Sequence, residues 1–119
     1  MNSITLLGRV VAAPEKKETK LGTEMAVFCL AVPREGDKEK TDFFNCVVFQ
    51  KTAENLLNFV EKKSIKKGTL LSISGTLNID KYESSDGVKR VSPQVIARRF
   101  YICGQSESKE NKENSIQES

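Results

Sequence analysis

Residues 41–50 read Thr-Asp-Phe-Phe-Asn-Cys-Val-Val-Phe-Gln, and strand geometry sorts them into two faces. The even positions Phe44, Cys46 and Val48 read as core. The odd positions Phe43, Asn45, Val47 and Phe49 place two aromatics and an amide on the opposite face. Rings turned to solvent there would suit the stacking of nucleic-acid bases. Rings filling a closed barrel would give the same pattern, so at this level both readings stand.

The rest of the chain supplies four more strand patterns and one helix. Residues 3–11 form a first strand, with Gly8 in mid-run suggesting a bulge or sharp bend and Pro14 stopping the ladder. Residues 15–20 read as a charged connector, and Leu21-Gly22-Thr23 as its turn. The second strand, 24–33, is nearly continuously apolar, which predicts burial on much of both sides. Residues 34–40 form a solvated loop leading into the third strand at 41–50. A helix follows, with Thr52 expected to cap it and Glu54 to suit the positive end of its dipole. Its apolar stripe is Ala53, Leu56, Leu57 and Val60. Residues 61–67 close it with cations, and Gly68 stops it.

The fourth strand covers 69–77, with an internal Gly75, and continues through Tyr82 to residue 83. Asp86-Gly87 marks a hairpin turn. A fifth strand spans 88–102, where Pro93 implies an edge or an irregularity. Five strands with one helix between the third and fourth is the connectivity of the OB-fold, an all-β, five-stranded Greek-key barrel. Residues 1–103 are expected to form this domain. Residues 104–119, rich in Gln, Ser, Glu, Lys and Asn, are expected to be a disordered polar tail.

Composition narrows the chemistry. The formal charge is +3, but Lys109 and Lys112 against Glu107, Glu110, Glu113 and Glu118 leave the tail at −2 and the body near +5. That balance is compatible with a polyanionic partner and does not demand one. The chain has no His, no metal-spaced Cys set and no Gly-rich phosphate loop, so neither an enzyme nor a cofactor nor a metal site is expected. Cys29, Cys46 and Cys103 sit in apolar contexts and read as buried free thiols of a reducing compartment. The chain shows no signal segment, and no apolar run approaches the roughly 20 residues of a membrane span, so a soluble cytoplasmic protein is expected.

Read in order, these residues resemble the bacterial-type single-stranded DNA-binding protein family. The resemblance runs from Asn2 through Gly8-Arg9-Val10 and Pro14 to Gly22-Thr23 and Phe28-Cys29-Leu30-Ala31-Val32. It continues through Asp42-Phe43-Phe44-Asn45-Cys46-Val47-Val48-Phe49 and Lys51-Thr52-Ala53-Glu54-Asn55. It resumes at Lys67-Gly68, Gly75-Thr76-Leu77, Lys81-Tyr82, Asp86-Gly87 and Val95, covering roughly residues 2–103. It implies that Phe43, Phe49 and Tyr82 stack bases, and that Phe44 packs inward. Arg9, Arg34, Lys51, Lys67 and Lys81 become candidates for phosphate contacts, and Asn45 for a hydrogen bond to a base or phosphate. The expected function is binding of single-stranded DNA without sequence preference during replication, recombination and repair. The alternative is an OB-fold adaptor of a primosome-like complex, acting mainly through protein–protein contacts.

The family resemblance also implies self-association, usually a homotetramer aided by the first strand, with a dimer left open. Two departures stand out. Residues 61–65 look like an insertion that lengthens the helix or loop away from the stacking face. The chain also closes on Ser115-Ile116-Gln117-Glu118-Ser119, without the family's acidic Pro-Phe tip that recruits replication and recombination proteins. That ending puts recruitment by this route in doubt and would fit a phage, plasmid or second chromosomal copy.

Overall fold

β1 (Ile4–Val10) is shared between two neighbours, and this closes the barrel. It pairs antiparallel with β5 (Leu70–Glu83) over residues 4–9, then with β3 (Glu24–Arg34) through Arg9 and Val10. β3 pairs with β4 (Asp37–Phe49), and β4 runs parallel to β6 (Lys89–Gly104) at Cys46 and Val47. β6 returns antiparallel along β5. The ring β1–β3–β4–β6–β5 is the five-stranded OB barrel, with α1 (Gln50–Glu61) between its third and fourth strands. The computed structural model describes residues 1–105. β6 runs to Gly104, and the tail expected over 104–119 lies, from residue 106 on, outside the described residues.

A sixth strand occupies the stretch read as a connector. β2 (Glu15–Glu18) adds to the edge of β3 with Lys16 opposite Ala26 and Lys17 opposite Met25. Its four residues are all charged and exposed, so no alternation announces it. It forms because β3 otherwise presents an unpaired backbone edge, and a short, charged strand blunts that edge. The loop expected over 34–40 is also mostly strand: β3 and β4 meet at a tight turn over Glu35 and Gly36, where Gly36 takes φ 82°.

The interior is built by strand parity. Ala26, Phe28 and Leu30 from β3, Cys46 and Val48 from β4, Leu71 and Ile73 from β5, and Val95 and Ala97 from β6 form one buried cluster with Ala53 and Leu56 of α1. Phe44 is partly buried against it. β3 is therefore not buried on both sides: its odd residues Val27, Cys29 and Ala31 stay half-buried on the outer face. Val47 is the exception to parity in β4. It lies on the outer face yet is fully buried, in register with Val27 on one side and Ile96 on the other.

Two glycines permit the closure. A Cβ at Gly8 would collide with the carbonyl oxygen of Ala31, and one at Gly75 with that of Ile96. At Gly75 the β5–β6 register shifts, so a bulge accompanies the close approach. At Gly8 no register shift occurs, so of the expected bulge or sharp bend only the bulge is absent. Its pairing with Leu71 continues unbroken, and the glycine is needed where β1 passes beneath β3. Nearby, the Asn2 side chain extends the β1–β5 ladder, its amide donating to the Leu77 carbonyl at 2.7 Å and accepting from the Leu77 N–H at 2.9 Å.

α1 begins two residues before the expected Thr52 cap. Phe49 is its N-cap, no side chain caps it, and Gln50 turns the chain into the helix at φ 53°. Glu54 consequently falls beyond the first turn. The helix stops at Glu61, where Lys63 adopts φ 65° and the N–H groups of Ser64 and Ile65 return to the Phe59 carbonyl. The left-handed Lys63, not Gly68, therefore ends the helix. The reversal turns Ile65 into the core, where it is 1% exposed. Residues 61–65 thus carry a core anchor, and burying such a side chain contributes about 1.5–3 kcal/mol.

Gly75→Ala is expected to destabilise the fold by about 3 kcal/mol or more, because the clash is with backbone and cannot be relieved by a rotamer change. Urea unfolding followed by circular dichroism measures it. A loss comparable to that of Gly22→Ala, where a Cβ meets nothing within 4 Å and only the φ of 85° opposes it, would contradict this account of closure.

Candidate nucleic-acid interface

The β3–β4 register decides which side chains share the outer face. Phe43 lies opposite Ala31, Asn45 opposite Cys29, Val47 opposite Val27, and Phe49 opposite Met25. Directly opposed residues of an antiparallel pair point the same way. Phe43 is 65% exposed although it adjoins Phe44, which the core holds. Phe49 is half-buried and borders a hollow with Leu21, Thr23 and Gln50 at the β2–β3 turn. Leu21 is itself fully exposed beside it.

β4 and β6 are paired only around Val47 and Ile96. Towards their N-terminal ends lies a cleft lined by Phe43, Asn45, Leu77 and Pro93 among others. A second, shallow groove of about 370 Å³ continues from Asn45 across Val27 and Cys29 to Ser92 and Gln94, bounded by Glu15 and Lys17 of β2. Lys17 was not among the sequence candidates. Its strand was unrecognised, and no apolar pattern places it beside the aromatic face.

The β5–β6 hairpin carries Tyr82 opposite Arg90, and this row runs through Asp80–Ser92 and Asn78–Gln94 to Thr76–Ile96. Ile96 is in register with Val47, so Tyr82 shares the outer face with Phe43, Asn45 and Phe49. Tyr82 is 50% exposed. Lys81, its neighbour, lies opposite Val91 on the other face of the hairpin. The turn is held by Asp86, which accepts hydrogen bonds from the Ser84 hydroxyl and, at 3.1 Å, the Val88 N–H. These bonds hold the Asp86 carboxyl below the usual carboxylate range.

The basic candidates are dispersed. Arg9 stands in the outer row with Ala31 and Phe43, but one guanidinium nitrogen donates to the carbonyls of Gly68 and Gln105, both at 3.0 Å. It straps the loop before β5 to the end of β6. Arg34 is bound to Asp42, its Nε donating to both carboxylate oxygens at 3.0 and 3.1 Å, and that hydrogen bond raises the guanidinium pKa further. Lys51 extends from the first turn of α1 beside Phe49, with only a 3.7 Å contact to Glu54. Lys67 is exposed in the turn that brings the Gly68 N–H to the Val10 carbonyl. The structure therefore gathers Phe43, Asn45, Phe49 and Tyr82 on one face, with Lys51 at its edge. It engages Arg9 and Arg34 in protein contacts and sets Lys81 on the reverse side of the hairpin.

An OB barrel presenting exposed aromatics from its third barrel strand and its long hairpin is a barrel of the nucleic-acid-binding kind. A model of the single-strand binding protein family matches residues 1–103, and the chain belongs to that family. It is 36% identical over 101 residues to the single-stranded DNA-binding protein of Clostridium perfringens, covering 84% of this chain and 64% of that one. It is likewise 36% identical over 116 residues to single-stranded DNA-binding protein 3 of Listeria innocua, covering 93% and 67%. A Bacillus cereus single-stranded DNA-binding protein is 37% identical over 102 residues, covering 82% and 56%. The chain thus spans between 56% and 67% of the length of these curated relatives.

The three cysteines differ in reactivity. All are free, but only Cys46 is buried; Cys29 is half-buried in the groove and Cys103 is exposed, which corrects the expectation of three buried thiols. Burial pushes the Cys46 thiol up to about 12, with Cys29 adding to the shift, so it stays protonated at neutral pH. Thiol labelling at neutral pH is expected to modify Cys103 rapidly, Cys29 more slowly, and Cys46 only on unfolding. Mass spectrometry of the labelled peptides checks the order.

Proposed function

We propose that the protein binds single-stranded DNA without sequence preference, stacking bases on Phe43, Phe49 and Tyr82. The observation that carries this reading is the exposed ring of Phe43 on an outer face that also holds Asn45, Phe49 and Tyr82. Base–aromatic stacking is worth about 1–3 kcal/mol per base and is indifferent to base identity. Asn45, in the groove beside Gln94, offers amide donors and acceptors to a base edge or phosphate. Lys51 supplies phosphate charge directly, as does Lys67 where the strand passes the barrel end; Lys81, on the reverse side of the hairpin, adds positive charge at longer range. Arg9 and Arg34 act mainly through the loop contacts they already make.

The protein acts as a binder, coating exposed strands during replication, recombination and repair, and not as an enzyme. It works as a self-associated assembly, with a homotetramer as the expected form. β1 supports this: only Arg9 and Val10 pair with β3, and Leu7 on the outer side is 53% exposed.

Phe43→Ala is expected to weaken poly-dT binding by about 5- to 150-fold at constant salt, following the per-base stacking energy, while leaving the melting temperature nearly unchanged. Phe44→Ala should do the reverse, costing stability through the core. Fluorescence anisotropy with labelled dT, beside a thermal melt, measures both. Unchanged dT affinity in a folded Phe43→Ala, Phe49→Ala double variant would overturn the stacking mechanism.

A further inference from the structure

A second groove, of about 610 Å³, lies between α1 and β6. Its floor is the edge-to-face pair Phe59–Phe100, ring centroids 6.0 Å apart. Asn55, Asn58 and Lys62 line one wall, and Arg98, Arg99 and Tyr101 the other. No acidic side chain lines it. Among the described residues, the side chains of Lys62, Arg98 and Arg99 have neither an ion pair nor a hydrogen-bond partner. Three residues with uncompensated positive charge around one groove, with no carboxylate in its lining, make the entry of an anion favourable.

The surroundings favour a nucleic acid over an acidic peptide. Tyr101, 62% exposed, lines the groove together with two arginines, residue types that respectively stack bases and bind phosphates. The groove is also continuous with the aromatic face. Lys51, Asn55, Asn58 and Lys62 follow one another at helical spacing, forming one polar stripe along α1. That stripe begins beside Phe49, where β4 hands over to the helix, and ends at Lys62, which lines the groove opposite β6.

We propose that the α1–β6 groove is a second contact site for single-stranded DNA, receiving the phosphate backbone after the strand leaves the Phe49 end of the barrel face. This rests on the single-strand-binding reading above but uses none of its residues except Lys51 at the junction. A strand long enough to cross both faces is held at both. A short one occupies the stacking face alone.

The test compares the full chain with a Lys62→Gln, Arg98→Gln, Arg99→Gln variant. All three residues are exposed, so the fold should persist, and Lys62→Arg, Arg98→Lys, Arg99→Lys serves as a charge-retaining control. Binding is measured by anisotropy, with DNA limiting, for dT of about 5 nucleotides and of about 16, the range of single-barrel site sizes. The salt dependence is recorded for each. The variant is expected to bind the short strand as the parent does and the long strand at least about tenfold more weakly. Its log–log salt slope for the long strand should fall by about 2, for three phosphate contacts at about 0.7 each. The control should keep most of the slope.

Equal affinity of parent and variant for both lengths would overturn the proposal while leaving the stacking reading intact. Failure of the parent to bind either length would overturn both. A variant that binds every dT like the parent but loses affinity for a labelled poly-Glu peptide would assign the groove to an acidic protein segment. One that binds dT normally and changes oligomeric state, read by sedimentation, would assign it to contact between copies. Either outcome would contradict the proposal.

Discussion

Everything on the outer surface depends on how closely β1 approaches β3, and β5 approaches β6. The backbone comes so near at Gly8 and Gly75 that a single methyl group would strike a carbonyl oxygen at either place. With those two approaches allowed, β1 can finish its pairing with β5 and pass to β3, and the sheet closes into a ring. Closure fixes an inside and an outside for every strand. It is this division, set by backbone packing far from the aromatic residues, that turns Phe43 outward and holds Phe44 against the core.

The same constraint explains why the outer face is suited to a polymer. Closure leaves β4 and β6 paired at few positions, and the cleft and groove beside that short contact display Asn45, Cys29 and Gln94 along a path bounded by β2. The long β5–β6 hairpin carries the row further, out to Tyr82. A linear ligand can follow such a path, and stacking on rings requires no particular base. The α1–β6 groove lies beyond the other end of β4, so the two surfaces meet at the strand-to-helix junction around Phe49 and Lys51.

Much of this was legible in the sequence, for identifiable reasons. A period of two separates Phe43 from Phe44 wherever residues 41–50 form a strand, and the order of strands and helix specifies the barrel. β2 was illegible because its four residues are all charged; the neighbouring edge of β3 decides its structure, not its own pattern. The start of α1 was misread because no side chain caps it, and a left-handed Gln50 makes the turn that a cap would have announced. Ile65 looked like part of a solvated lysine run, yet the left-handed Lys63 swings it into the core. The α1–β6 groove draws on residues distant in sequence, and only tertiary packing brings Lys62 to Arg98 and Arg99.

The central claim is that Phe43 meets DNA bases while Phe44, its immediate neighbour, does not. Proton NMR of the phenylalanine rings during titration with dT reads both residues in one experiment, because a stacked base shifts the ring signals it covers. The account predicts large upfield shifts for Phe43, smaller ones for the half-buried Phe49, and a Phe44 ring that stays where the free protein has it. Saturable dT binding with the Phe43 ring unmoved, or with Phe44 shifting as much as Phe43, would contradict it.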